Sequence, residues 1–231
     1  MLLSILVPTL GSRRRQFLCL HNSLQRQVAD AQLEGEVEVL CLCDDGERPT
    51  GGKRNELLDR ARGEFVAFVD DDDEVSPDYV ARICDTLRRH PDIDCVGITG
   101  VITFRGRRAR TFVHSLRYND YSSAGGKYTR PPYHLNPIRR SIAARYRFRE
   151  VYRSEDIDWA LRIRDDRSLR TEELIESVLY RYHCRRHWAY QWLLDATEGI
   201  RHRLGLRMTN RFRFTQTPIL TSHAHPTEDR P

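Results

Sequence analysis

The chain has 231 residues, 39% of them hydrophobic, with 38 Lys and Arg against 33 Asp and Glu, giving a formal net charge of +5 and a pI near 9.0. That composition excludes a disordered or low-complexity protein, allows a sizeable core, and contains no run approaching the roughly 20 apolar residues of a membrane-crossing helix. The cationic surplus is largely arginine and favours an anionic ligand or surface without naming it.

Met1 to Val7 is apolar, has no basic residue before it and runs into Pro8, so it reads as a strand and not as a secretion signal; a cytoplasmic location is expected. Leu3 to Val7 is the first strand, and Phe17, Leu20, Leu24 and Val28 then recur at helical spacing. Val37 to Cys43 is a second strand. Gly51 to Arg62 is a short helix turning Leu57, Leu58 and Ala61 inward, with Gly63 as its stop. Phe65 to Val69 is a third strand, short, apolar and β-rich, and a third helix opens at Ser76-Pro77, buries Val80, Ile83 and Leu87 and ends near His90-Pro91. A βαβαβα order implies an α/β fold built on a parallel sheet with right-handed crossovers. The six cysteines form no CxxC pair; Cys41 and Cys43 should share one face of a strand, and reduced, mostly buried thiols are expected.

The third strand ends in Asp70-Asp71-Asp72-Asp73-Glu74. In extended backbone Asp70 and Asp72 would face one way and Asp71 and Asp73 the other. Carboxylates this close raise one another's pKa unless a cation, a helix N-terminus or solvent relieves them. A divalent metal is one solution; a solvated loop running into the Ser76-Pro77-Asp78 helix start is the other. Ligands on open parallel sheets bind beyond the carboxyl ends of the strands, here Pro8-Thr9-Leu10, Asp44-Asp45-Gly46 and Asp70 to Asp73. The helix beginning Gly51-Gly52-Lys53-Arg54-Asn55 would add N–H groups and cations suited to phosphate, although Asp44-Asp45-Gly46 also reads as a plain turn. The turn after the first strand, Pro8-Thr9-Leu10-Gly11-Ser12, lacks the G-x-G-x-x-G of a dinucleotide site, and Gly46 to Arg54 has the wrong spacing and place for a P-loop.

Taken together, Ile5-Leu6-Val7-Pro8-Thr9, Cys43-Asp44-Asp45-Gly46, Gly52-Lys53-Arg54-Asn55 and Gly63 to Asp73 resemble, in order and spacing over about the first ninety residues, the family 2 glycosyltransferases of GT-A fold. The resemblance implies a Rossmann-like, mostly parallel central sheet flanked by helices. It implies that Pro8, Thr9, Asp44 or Asp45, Arg54, Asp70 and Asp71 contact the nucleotide, and that Asp70 and Asp72 form the D-x-D, with Asp72 on a Mn²⁺ or Mg²⁺ ion. Asp71 departs from the small residue usual between the two acids, and Leu10-Gly11 from the usual polar pair, so the register among the four aspartates stays open. A ring N–H of uracil suits an aspartate acceptor, as would that of guanine or thymine.

In the second half, Val101 to Phe104 and Arg110 to Val113 flank Arg105-Gly106-Arg107-Arg108 as a hairpin, and Tyr118 to Tyr133 reads as an irregular loop, either a connection or a lid. Ser154 to Leu161 suggests a helix with Ser154 as N-cap, acids in its first turn, and Ile157, Ala160, Leu161 and Arg164 marking its periodicity; capping alone would account for those acids. The resemblance gives the pair Glu155-Asp156 a catalytic role with Asp156 as base, and it makes Val178 to His183 the strand whose His183 completes the metal site. His187 to Leu206 is expected as a basic amphipathic helix, packed on the core or set against an anionic membrane or partner subunit, followed by a frayed end from about Thr215. The expected organisation is a GT-A domain over 1–205, with a nucleotide-sugar half at 1–100, an acceptor and base half at 101–205, and a tail at 206–231. The resemblance implies a metal-dependent, inverting transfer from a UDP-sugar to a hydroxyl of a glycan or other acceptor, with no nucleic acid involved. A nucleotidyltransferase on the same rim and a non-catalytic basic glycan- or nucleic-acid-binding module are the competing expectations.

Overall fold

A computed structural model describes residues 1–104, 106–123 and 126–184; the helix expected from His187 and the tail from Thr215 lie outside the described residues. Leu3–Leu10 forms β1, and Leu3, Ile5, Leu6 and Val7 are fully buried, as a strand covered on both faces requires. After a single 3-10 turn at Gly11–Arg13, α1 (Arg14–Asp30) buries Leu20, Leu24 and Val28 but leaves Phe17 only partly covered. The second strand, β2 (Val37–Asp44), runs parallel to β1 with Leu3 opposite Val37. It is an edge strand of the sheet. For that reason Cys41 and Cys43 are exposed, as is Cys19, so only Cys84, Cys95 and Cys184 meet the expectation of buried thiols.

Next come α2 (Thr50–Arg60) and β3 (Phe65–Phe68), which lies parallel to β1 with Leu3 opposite Phe65. The helix ends at Arg60, so Gly63 is not its stop. Gly63 instead passes against the backbone of β1, where an added Cβ would lie 2.5 Å from the Ser4 nitrogen and 2.7 Å from the Leu3 carbonyl carbon. Asp70 to Asp73 folds as a turn closed by the Asp73 N–H on the Asp70 carbonyl (3.2 Å), followed by β4 (Glu74–Val75) and α3 (Tyr79–Arg89). This third helix starts later than Ser76-Pro77 because Gln27 of α1 caps it from outside: its Oε1 accepts the Val80 N–H (3.0 Å) while its Nε2 donates to the Ser76 carbonyl (2.9 Å). Val80, Ile83 and Leu87 are buried as the spacing predicts.

Beyond α3 the sheet is mixed. β5 (Cys95–Phe104) and β6 (Arg107–His114) form the expected hairpin, longer than predicted; β7 (Tyr128–Arg130) runs parallel to β6, so the stretch from Tyr118 contains a strand and a Ser122–Thr129 bridge and is not wholly irregular. β8 (Ile138–Arg139) inserts antiparallel between β3 and β5 and leads into α4 (Arg140–Ala143). Then α5 (Glu155–Asp165) packs Trp159, Ala160 and Ile163 inward, with Ile157 only partly covered. The Trp159 ring sets that face by stacking on Phe148 (4.8 Å) and donating to the Tyr146 carbonyl (2.8 Å). The last strand, β9 (Glu172–Cys184), runs parallel to β5 and antiparallel to β4. The order β2-β1-β3-β8-β5-β6-β7, with β9 against β5 and β4, keeps the largest share of pairing parallel, while β8, β4 and the β5–β6 hairpin add antiparallel neighbours. No helix among the described residues is long and apolar enough to cross a membrane.

The close passage at Gly63 generates a stability prediction. Gly63→Ala should lower the urea-unfolding free energy by about 1–3 kcal/mol, because the new methyl meets backbone on both strands; an unchanged midpoint would contradict this packing.

Candidate active site

The carboxyl ends of β1, β2 and β3 converge on α2, and three consecutive residues of that helix tie them down. Lys53, 3% exposed, donates from Nζ to the Thr9 carbonyl and to Asp44 Oδ1, both at 2.8 Å. Burial raises the Asp44 carboxyl, but Lys53 and the Gly46 N–H (3.1 Å) outweigh it and hold Asp44 below the usual carboxylate range. Arg54, also buried, pairs through Nη2 with Asp70 Oδ1 (2.8 Å) and through Nε with Glu155 Oε1 (3.2 Å). Its guanidinium lies over Phe68 and Phe148, 5.1 and 5.8 Å from the ring centres. Asn55 clamps residue 148 in both directions, Nδ2 donating to the Phe148 carbonyl (2.9 Å) and Oδ1 accepting the Phe148 N–H (2.8 Å). The α2 N-terminus is covered by chain, since the Gly51 N–H donates to the Val151 carbonyl (3.2 Å). Lys53 and Arg54, expected to meet phosphate, are therefore internal struts in this structure, Lys53 between the Thr9 carbonyl and Asp44 and Arg54 between Asp70 and Glu155.

The four aspartates divide as alternation predicts, although the strand has already ended. Asp71 and Asp73 are buried, whereas Asp70 and Asp72 keep partly exposed side chains. Asp71 accepts from Thr9 Oγ1 and from Arg13 Nη1, both at 2.7 Å, so Thr9 and Asp71 are committed to each other and join β1 to the turn. Asp73 accepts from Tyr180 Oη (2.8 Å) and the His183 N–H (2.9 Å), which fixes β9 against the turn; burial pushes its carboxyl well up. Asp72 lies 3.3 Å from Arg13 Nη1. Asp70 sits well below the usual carboxylate range: burial opposes ionisation, but Arg54 and then His134 favour it more.

At the base of the sheet's other half, Ser154 precedes α5 in the left-handed region (φ 62°) and makes no side-chain cap bond. Asp156 Oδ1 accepts the Ile157 N–H (2.8 Å), and Oδ2 faces His134 Nδ1 at 3.7 Å. Glu155 is buried against Arg54; burial raises its carboxyl, Arg54 opposes that, and the net shift is upward. Asp158, by contrast, pairs outward with Arg149 (3.0 Å) and Arg162 (2.9 Å). His183 is engaged on β9, with Nε2 3.2 Å from Glu74 Oε1 and Nδ1 3.1 Å from Thr103 Oγ1. At the β2 end, Asp45 is exposed and Pro8 buried; Gly11 makes room for Asp45, because a Cβ there would stand 2.2 Å from its Oδ1.

The structure thus brings Thr9, Asp44, Arg54, Asp70, Asp71, Glu155 and Asp156 into one connected cluster, with Asp72 and His183 attached through Arg13 and Asp73. Sequence reasoning missed His134, whose ring joins Asp70 to Asp156, together with Arg13 and Tyr180. No periodicity marks any of the three; the one signal was the His134-Leu135-Asn136-Pro137 string. Among the described residues, no three or more His, Cys, Asp or Glu side chains gather as a group able to hold a metal.

A three-stranded parallel unit whose strand ends carry this rim, continued by a mixed half with a helix start aimed back at it, is the GT-A glycosyltransferase fold. It is similar to S. aureus TarS 1–349 in complex with UDP (TM-score 0.58, 18% identity, 79% of this chain and 60% of that one) and in complex with UDP-GlcNAc (TM-score 0.56, 18% identity, 81% and 60%). Within that class, the sequence model described as Glycosyl transferase family 2 matches residues 45–152, a little under half of the chain. A curated relative, the glucosyl-dolichyl phosphate glucuronosyltransferase of Haloferax volcanii, is 31% identical over 75 residues, which are 32% of this chain and 24% of that protein. The chain thus spans about a quarter of that relative's length and three-fifths of the solved chains.

The two-way clamp on residue 148 can be removed by itself. Asn55→Ala leaves a buried N–H and C=O without partners and should cost roughly 2–4 kcal/mol in chemical denaturation; a loss below about 0.5 kcal/mol would mean that water or relaxation replaces the clamp.

Proposed function

We propose that the chain transfers a sugar from a UDP-sugar to a hydroxyl of a glycan or other acceptor, with inversion at the anomeric carbon. The observation carrying this reading is the meeting of two carboxylates from opposite halves of the chain, Asp70 after β3 and Asp156 at the start of α5, on the two edges of one buried imidazole. A nucleotide-sugar held along the strand ends would present its anomeric carbon to their partly exposed faces. Residues 1–100 then form the donor half, and the following segment to about 205 the acceptor and base half.

In this reading Asp156 accepts the proton of the attacking hydroxyl. It suits the task because it is partly exposed and one of its oxygens is held in place by the Ile157 N–H at the helix start. Attack from the face opposite the diphosphate in a single displacement inverts the anomeric centre, by analogy with inverting glycosidases. Glu155 acts behind it, its carboxylate held by Arg54. Asp44 is committed to Lys53, which leaves the exposed Asp45 as the carboxylate for a ring N–H of the base. Pro8 and Thr9 form the floor of that end. The relatives' complexes with UDP and UDP-GlcNAc support the choice of uracil.

The GT-A class implies a divalent cation, and the donor set here fits one in a limited way. Asp72, paired with Arg13, offers partly exposed, hard oxygen ligands, whereas Asp71 and Asp73 are buried among their partners. Mn²⁺ or Mg²⁺ characteristically takes one or two carboxylates and completes its shell with phosphate oxygens and water. Asp72 would hold it, with His183 as the candidate neighbour, tied by its backbone to Asp73. Such a cation supplies neutralisation of the diphosphate leaving group.

Two measurements test the reading. Calorimetry should show UDP binding that strengthens with Mn²⁺ or Mg²⁺, outcompetes GDP and dTDP, and loses its metal-dependent part in Asp72→Ala; equal binding in EDTA would remove the cation from the account. Asp156→Asn should lower turnover about 10²-fold or more with UDP affinity little changed. Asp158→Asn, which touches only partly exposed ion pairs, should cost up to about 1 kcal/mol of stability and leave turnover near that of the unmodified chain. A dead Asp158→Asn beside an active Asp156→Asn would transfer the role of base.

A further inference from the structure

His134 is 3% exposed, yet both of its ring nitrogens end on carboxylates and neither on backbone. Nε2 lies 3.4 Å from Asp70 Oδ2, and Nδ1 lies 3.7 Å from Asp156 Oδ2 with no hydrogen-bond partner of its own. A buried polar nitrogen without a partner is costly and calls for an explanation. The ring has little freedom. Its own carbonyl accepts the Phe68 N–H (3.0 Å), anchoring the backbone to the end of β3. Asn136 closes the turn, accepting the Tyr133 N–H (2.9 Å) and donating to the Val96 and His114 carbonyls (2.9 and 3.2 Å). The rings of Tyr133 and Phe68 flank the imidazole at 4.5 and 6.5 Å.

We propose that His134 is the positioning residue of the transfer reaction, setting the Asp156 carboxylate through Nδ1 while Nε2 references it to Asp70 at the donor turn. The proposal deepens the reading of Asp156 as base and rests on it. Asp156 is then held from several sides: Oδ1 takes the Ile157 N–H, Oδ2 faces the imidazole edge, and the buried Tyr133 hydroxyl bonds the same carboxylate. Correct orientation of a proton acceptor is worth orders of magnitude in rate, so a misplaced Asp156 slows the step without weakening donor binding.

The two side-chain amides separate this role from a structural one. The amide nitrogen of Asn can occupy the place of Nδ1, whereas that of Gln reaches the place of Nε2. His134→Gln therefore retains the Asp70 contact and loses the Asp156 contact, and His134→Asn does the reverse. The experiment measures kcat and KM for hydrolysis of UDP-GlcNAc, or of whichever UDP-sugar in a panel the unmodified chain hydrolyses fastest, with water as acceptor. UDP binding and melting temperature are measured alongside. His134→Gln should lower kcat about tenfold or more with KM and UDP affinity within about threefold, and His134→Asn should retain most of kcat. In an Asp156→Asn background His134→Gln should have almost no further effect, because a residue that acts through another loses its effect when that one is gone. The proposal is overturned if His134→Gln leaves kcat intact, if Asn and Gln fall equally, or if His134→Gln costs the same factor with and without Asp156. An Asp156→Asn variant that turns over normally would sink the base assignment itself. Failure of His134→Gln alone, with Asp156→Asn dead, would leave that assignment standing.

Discussion

The guanidinium of Arg54 is held between two carboxylates from segments far apart in the chain, Asp70 after the third strand and Glu155 at the start of α5, with Phe68 and Phe148 excluding water from its faces. A charge buried in this way is tolerated only while its partners stay in place, because breaking such a pair leaves an uncompensated ion in a poorly solvated site. The rest of the rim follows from that constraint. The aspartate turn after β3 and the start of α5 cannot shift independently without pulling one carboxylate off the cation. Burial lowers the affinity of Arg54 for its proton, but Asp70, Glu155 and Asp156 more than reverse this and keep it above its ordinary range.

Lys53 and Asn55 extend the same logic along α2. Consecutive helical residues are turned by about 100° from one another, so three in a row reach three different neighbours. Lys53 takes the β1 and β2 ends, Arg54 the D-turn and α5, and Asn55 the backbone at residue 148. Four successive aspartates are then no excess of charge. Asp71 and Asp73 are internal fasteners, for Thr9 with Arg13 and for Tyr180 with His183, while Asp70 and Asp72 face the rim. With inner and outer carboxylates held by different partners, the turn keeps its shape while presenting negative charge to a ligand.

Much of the first half was legible because its signals are local. Periodicities marked β1 to α3, and two-residue alternation sorted the aspartates correctly even though their backbone forms a turn. What stayed hidden depends on contacts between distant residues. The partner of Arg54 at Glu155 lies 101 positions away, and the α3 cap comes from Gln27 on another helix. Without a topology beyond the third strand, Lys53 and Arg54 read as phosphate ligands, and Gly63 as a helix stop when it is a strand crossing. Cys41 and Cys43 look buried by composition, but β2 is at the edge of the sheet, which no local pattern reports. His134 was invisible for a related reason: its meaning comes from two carboxylates brought to it by β3 and α5.

The central claim is that one buried cation couples the aspartate turn after β3 to the start of α5, and unfolding free energies test it without knowledge of the acceptor. Arg54→Leu should cost about 3–5 kcal/mol, since it strands Asp70 and Glu155. Adding Asp70→Asn and Glu155→Gln to that variant should restore at least about half of the loss, because no buried charge is then left unpaired. A triple variant no more stable than Arg54→Leu alone would contradict the claim and show that these carboxylates do not depend on Arg54.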